Sequence, residues 1–466
     1  MRRKKPRLNH NPLMKPLLNR ERIDLTQGNV LRNIWVLALP MMLGNILHTA
    51  FNVIDMIWVG RLGAEAIAAV GMAGVVIMVV ITLIIGVATG TQSLVSRYIG
   101  AKDFNRAENV AMQALIVGVA ASIILAAIGG YFAGPILKAL GARQEILTQG
   151  KEYLQIILSG SLVMVYLFLI SSIFRAAGDT LTPMLLMVGA TVLNIILDPL
   201  MIFGIGFPPM GVRGAALATV LSRGIAAIFG VYILFQGHSW IQVKVSELRL
   251  DLKTAFRIIK IGFPNSIQMA LRSIVGLVLM AIVARYGSYA IAAYGIGLRV
   301  FSVVLMPGFA LATSAATLVG QNLGAGQFIR AKTSAWRAAG FNALLMGAVG
   351  LLFFIFSTRL ISIFNLHPEV IRMGSEYLRV TSCGYVFIAQ GLVLGRSLMG
   401  AGDTVSPMLI AVVALLGVQI PLAFLLPRYL HIGLAGVWWA ILISSVLQGT
   451  LTAFWFNKGS WQLKKI

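Results

Sequence analysis

The chain has 466 residues, 58% hydrophobic and only 11% charged, with a formal net charge of +23 and a mean hydropathy of +0.87. A soluble globular chain carries about 25% charged residues, so an ordinary water-soluble domain is excluded. Eight of the first 22 residues are Lys or Arg and further bases cluster in alternate loops, which is the positive-inside pattern of a membrane protein and not a nucleic-acid surface.

Taken in chain order, the apolar runs predict twelve helical spans. The first six lie near 33–60, 66–92, 107–133, 152–174, 182–206 and 211–236. The second six lie near 256–285, 289–316, 333–357, 373–397, 405–427 and 432–457. Runs of about 20 apolar residues cross a bilayer as helices, because in lipid the backbone must satisfy its own polar groups. The loops at 97–106, 237–257 and 326–337 are rich in Lys and Arg, like both tails, so both termini are expected in the cytoplasm. No short apolar core with a cleavage site directly follows the basic tail, which argues against a signal peptide. The single cysteine, Cys383, allows no internal disulfide.

The two halves repeat at a shift of 224 residues. Pro40 matches Pro264, and "GRLGAEAIAAVG" (60–71) matches "ARYGSYAIAAYG" (284–295). "LVSRYIGA" (94–101) matches "LVGQNLGA" (318–325), and "EYL" at 152 recurs at 376. "AAGDTLTPM" (176–184) recurs as "GAGDTVSPM" (400–408), after which the register drifts by two residues and Pro199 pairs with Pro421. Each copy holds an even number of spans, so both share one orientation, and such repeats are related by an axis along the membrane normal. The expected fold is an all-α polytopic membrane protein of twelve transmembrane helices in two six-helix lobes. Its parts are a basic cytoplasmic tail (1–30), an N-terminal lobe (31–236), a cytoplasmic linker (237–255), and a C-terminal lobe ending in a short basic tail (256–466).

Of the fifteen acidic residues, Asp55 and Asp198 are the two set well inside apolar helices. Both helices run outward in this topology, and both acids fall near the outer ends, so they are placed to face one another. Asn194 lies four residues before Asp198, on the same helical face. Pro199 removes a backbone hydrogen bond beside them. Two carboxylates and an amide oxygen suit a small cation such as Na⁺, or a proton relay, or a structural hydrogen-bond pair. Ionisable groups at this depth are costly and are generally functional. The repeat equivalents are apolar: Leu279 for Asp55, and Ile420 or Leu422 for Asp198, so the acids belong to one lobe only.

Asn52, Arg272 and Arg299 are candidates for lining a substrate cavity, and Arg223 and His48 also lie within spans. Twenty methionines suit an adaptable pocket as well as ordinary packing. "GAGD" (400–403) matches the short string of intramembrane aspartyl proteases, but its sister "AAGD" and the helix start that follows both point to capping. There is no Walker A, HExxH or metal-spaced Cys/His string, so neither an ATP-driven pump nor a metalloprotease is expected.

As a set, "FNVIDMIWVGRLG" (51–63), "LNIILDPLMIFG" (193–204), "LVGQNLGAGQ" (318–327) and the paired "AAGDT" and "GAGDT" strings resemble the multidrug and toxic compound extrusion (MATE) transporters over residues 30 to 455. The resemblance implies two lobes around a central cavity and efflux of organic, often cationic, compounds in exchange for H⁺ or Na⁺. It implies no enzyme activity, no cofactor, small organic substrates, a surrounding of membrane lipid, and a monomer in a bacterial or archaeal cytoplasmic membrane. It matches Asp55, Asn194 and Asp198 to the N-lobe cation site of the DinF-like branch, and Thr219 to a sixth-helix hydroxyl of that site. Arg272 stands where the NorM-like branch has a glutamate, which favours an N-lobe mechanism. A flippase for lipid-linked saccharides is the alternative reading, because arginines inside the spans suit an anionic pyrophosphate.

Overall fold

The computed structural model describes residues 24–206, 208–237, 240–243 and 249–464. The basic tail over 1–23, residue 207, linker residues 238–239 and 244–248, and the last two residues lie outside them. Every regular element among the described residues is helical. Ten helices are long and apolar enough to cross a membrane, and two bent pairs bring the number to twelve.

In the first half these are α1 (Val30–Gly60), α2 (Ala64–Gly100), α3 (Phe104–Ala139), the pair α4 (Gln144–Ser159) and α5 (Ser161–Ala176), α6 (Leu181–Phe203) and α7 (Val212–Gln236). The second half holds α8 (Leu252–Ala284), α9 (Ser288–Gly324), α10 (Phe328–Ser362), the pair α11 (Pro368–Ser382) and α12 (Tyr385–Gly400), α13 (Val405–Tyr429) and α14 (Ala435–Lys458). The repeat reaches the bends: α4 and α5 meet at 50° beside Gly160, and α11 and α12 meet at 53° beside Gly384, its equivalent at the same shift. The two-residue drift in register falls within α13, which carries a π-helical stretch at Val413–Gln419.

The repeated "AGDT" strings form helix caps. Asp179 Oδ1 accepts from the backbone of Leu181 and Thr182 at 3.1 and 3.0 Å, and Asp403 Oδ2 accepts from Ser406 Oγ at 2.6 Å. These carboxylates satisfy N–H groups that the first turn leaves without partners.

The lobes exchange half-helices. The first half of α1 packs Ile34, Leu37 and Ala38 into the same core as Leu311, Ala315 and Leu394 of the second lobe. Reciprocally, Ile258 and Ile261 of α8 join the core of the first lobe, while Leu271, Val275 and Leu279 serve the second. Pro40 and Pro264, equivalent in the repeat, lie inside these two crossing helices.

At the end that carries the termini the lobes are in direct backbone contact. A Cβ on Gly100 would lie 1.9 Å from the carbonyl of Gln321, and one on Gly324 would lie 1.9 Å from that of Arg97. The two contacts are the same contact under the two-fold axis, since 100 and 324, like 97 and 321, differ by 224. Gln92 Nε2 donates to Thr317 Oγ1 at 3.0 Å, Gln321 Nε2 to the Ala176 carbonyl at 2.7 Å, and Arg97 Nη1 to the Ala401 carbonyl at 3.1 Å. Among the described residues no hydrogen bond joins the lobes beyond the level of Thr49, Thr82 and Met306, near mid-depth. The lobes are therefore closed against each other at the terminal end.

Candidate functional site

The site in the first lobe grows from the α6–α7 hairpin. Gly204, left-handed at φ 74°, ends α6 just after Phe203, three residues sooner than the apolar run to residue 206 suggests. The earlier stop puts Asp198 five residues from its helix end, as Asp55 is from Gly60. Both carboxylates thus lie roughly 8 Å in, at 1.5 Å per residue. Gly214 of α7 lets its backbone approach Met201 so closely that a Cβ there would sit 2.4 Å from the Met201 carbonyl. The outer ends of α1 and α6 meet through Trp58 and Phe203, edge to face at 6.1 Å, with the Arg61 guanidinium 4.4 Å above Trp58.

Asn194 and Asp198 are fully buried, and Asp55 and Thr219 retain 8% and 6% exposure. Asn194 Nδ2 donates to Asp198 Oδ1 at 2.7 Å, and Asp198 lies within electrostatic range of Asp55. Each of the four residues keeps one buried oxygen with no hydrogen-bond partner: Asp55 Oδ1, Asn194 Oδ1, Asp198 Oδ2 and Thr219 Oγ1. Buried polar atoms are normally paired, and leaving one bare costs about 1–3 kcal/mol. The four bare oxygens, contributed by α1, α6 and α7, are hard donors of the kind that suit a small cation or a shared proton.

Two neighbours complete the surroundings. Tyr153 of α4 is buried within electrostatic range of both carboxylates, and sequence reasoning missed it. The signal was present, because Tyr153 is the tyrosine of the repeated "EYL". Arg223 of α7, one turn from Thr219, stacks its guanidinium 4.5 Å from the Phe51 ring and lies within range of Asp55.

A central cavity of about 400 Å³ lies between the lobes. His48, Arg223 and Arg175 line it from the first lobe, and Phe309 and Arg396 from the second. A second cavity, of about 180 Å³, lies within the second lobe and is lined by Arg272, Leu279, Tyr294, Tyr377 and Tyr385. Leu279 and Tyr377 are the repeat equivalents of Asp55 and Tyr153, so the position that holds the acids in one lobe holds an aromatic pocket in the other. Of the remaining candidates, Asn52 is exposed on α1 with its Nδ2 3.3 Å from His48 Nδ1. Arg299 is exposed on α9, and neither of the two lines these cavities.

Two repeat-related lobes of membrane-spanning helices, in contact at one end beside a shared cavity, define a polytopic membrane transporter and not an enzyme. The MatE family pattern matches residues 40–200 and 264–425. The chain belongs to the multidrug and toxic compound extrusion (MATE) family. It is 30% identical over 431 residues to a probable multidrug resistance protein NorM of Thermotoga maritima, covering 92% of this chain and 93% of that one. It is 29% identical to an FAD transporter of Shewanella oneidensis, covering 91% and 92%. Its fold matches a MOP superfamily transporter from Pyrococcus furiosus, described as having a binding pocket of reverse polarity, with a TM-score of 0.86. The identity there is 26%, covering 95% of this chain and 98% of that one.

Proposed function

We propose that the protein is a secondary active exporter of organic compounds, driven by H⁺ or Na⁺ that binds Asp55, Asn194, Asp198 and Thr219. The carrying observation is the set of four buried, unpaired oxygens, one from each of these residues, in one lobe only. With both termini in the cytoplasm, the acids lie near the outward ends of their helices and are reached from outside. A cation entering there neutralises the carboxylates and favours one arrangement of the lobes by binding it better than the other. Release on the cytoplasmic side resets the cycle. Substrate occupies the central cavity, which alternates its access as the lobes rock so that one end opens while the other closes.

Arg272 in the second-lobe cavity, with no acid beside Leu279, supports a DinF-like mechanism centred on the first lobe. Export is also supported by the similarity to multidrug resistance proteins. Those relatives include an FAD transporter and a pocket of reverse polarity, so membership of the family leaves the charge of the cargo open. The arginines of the central cavity favour one second reading, a flippase for lipid-linked saccharides.

The test is dye efflux from proteoliposomes under imposed Na⁺ and H⁺ gradients, applied separately. The wild type is expected to respond to one gradient or both, and Asp55→Asn and Asp198→Asn to neither. Undiminished gradient-driven transport in both variants would remove the assignment.

A further inference from the structure

This inference rests on the export reading and concerns the cargo. Every side chain on the wall of the central cavity that carries a fixed charge is an arginine: Arg175 from α5, Arg223 from α7 and Arg396 from α12. Among the described residues, no carboxylate lines it. Arginine keeps its proton in proteins, so the three charges are permanent. Arg223 is partly answered by Asp55 and by the Phe51 ring. For Arg175 and Arg396 the described residues provide no such partner. Arg175 Nε is buried without a hydrogen-bond acceptor, and Arg396 Nη1 reaches Thr89 Oγ1 only at 3.4 Å.

Arg175 belongs to the first lobe and Arg396 to the second, and the two lie within electrostatic range of each other. Arg396 is also within range of Arg272 in the adjoining second-lobe cavity. Like charges lining one cavity of lowered dielectric repel each other, and a charge without a counterion there is costly. The rest of the wall is apolar and adaptable, with Met41, Met164, Met184, Met187, Phe168 and Phe309.

We propose that the central cavity takes an amphiphilic organic anion. Its acidic group, a carboxylate, sulfonate or phosphate, bridges Arg175 and Arg396, and its apolar body lies on the methionines and phenylalanines. The anion ties one lobe to the other while the closed end holds. A cationic compound of the same size would meet three like charges and no counterion.

The experiment uses the full chain in phosphatidylcholine nanodiscs and two dyes on one xanthene ring system: fluorescein, an anion, and tetramethylrhodamine methyl ester, a cation. Binding is read by fluorescence anisotropy with no gradient. Fluorescein is expected to bind at least about tenfold more tightly, and Arg175→Gln and Arg396→Gln each to weaken it about tenfold, the loss of one charge-assisted hydrogen bond. Arg396→Lys, which keeps the charge, should retain most of the affinity and separates loss of charge from loss of fold. Equal or tighter binding of the cationic dye would overturn the proposal, as would unchanged fluorescein affinity in the Arg175→Gln, Arg396→Gln double variant. Adding phosphatidylglycerol to the nanodisc distinguishes the source of the anion. Competition with fluorescein identifies a lipid headgroup, and undiminished binding identifies a water-soluble anion, both within the proposed chemistry. Since no gradient is involved, loss of the coupling assignment at Asp55 and Asp198 would leave this result standing, and the reverse also holds.

Discussion

Asp198 is fully buried with its two oxygens in different states: Oδ1 accepts the Asn194 amide at 2.7 Å, and Oδ2 has no partner. A fold that needed only the hydrogen bond would be served by an amide at position 198. The free oxygen is what a coupling cation requires. Thr219→Val removes a hydroxyl of that donor set while preserving shape. It is expected to weaken cation affinity about three- to tenfold, the scale of one neutral hydrogen-bonding group, measured as the ion concentration for half-maximal transport. The acids were legible in the sequence because a carboxylate in an apolar run is costly and therefore conspicuous. Tyr153 was less so, since a tyrosine costs little in a membrane helix; the repeated "EYL" marks it, but only the fold brings it to the carboxylates. Arg175 and Arg396 were missed for a related reason. They fall at the ends of the apolar runs predicted at 152–174 and 373–397, where arginine is ordinary, and only the packing of α5 and α12 turns them onto the cavity wall. Arg299 shows the converse, a conspicuous arginine that lines neither cavity.

At the level of elements, the number and order of the spans follow from hydropathy, but the bends do not. Each bent pair reads as a single apolar run, and the 50° and 53° turns beside Gly160 and Gly384 come from tertiary packing. The exchange of half-helices between lobes is equally silent in the sequence, because nothing in the residues on either side of Pro40 and Pro264 says which lobe each half packs against. The start of α8 offers a test outside the membrane. Asp251 Oδ2 accepts from Thr254 Oγ1 at 2.5 Å and Oδ1 from the Thr254 backbone at 3.1 Å, and Asn109 of α3 donates to it at 3.0 Å. These donors, Thr254 foremost, hold its carboxyl down at about 2. A depressed value stabilises the folded state above the ordinary aspartate value of about 3.9. That contribution is lost as pH falls from there towards about 2. Asp251→Ala should cost about 1 kcal/mol, the usual worth of such a cap. It should also flatten the pH dependence of thermal unfolding across that acidic window, as followed by circular dichroism in detergent. An unchanged pH profile would mean that the cap contributes nothing to stability.

For the molecule as a whole, the closed end depends on the absence of two side chains. Gly100 and Gly324 sit where a Cβ would meet backbone, the contact least able to yield. Gly100→Val and Gly324→Val are each expected to force the terminal ends of α2 and α9 apart and shift the lobes towards the opposite opening. In a Cys383→Ser background, spin labels on the loops at 102 and 326 should report longer distances at that end, and a distribution identical to the parent would contradict the packing described. The central claim is that the driving cation binds Asp55, Asn194, Asp198 and Thr219. Its most direct test is ion binding by the purified protein, with radioactive sodium for Na⁺ and a pH electrode for protons released on substrate addition. The account predicts that the wild type binds at least one of these ions and that Asp198→Asn, still folded, binds neither. An ion held by Asp198→Asn with undiminished affinity and stoichiometry would contradict it.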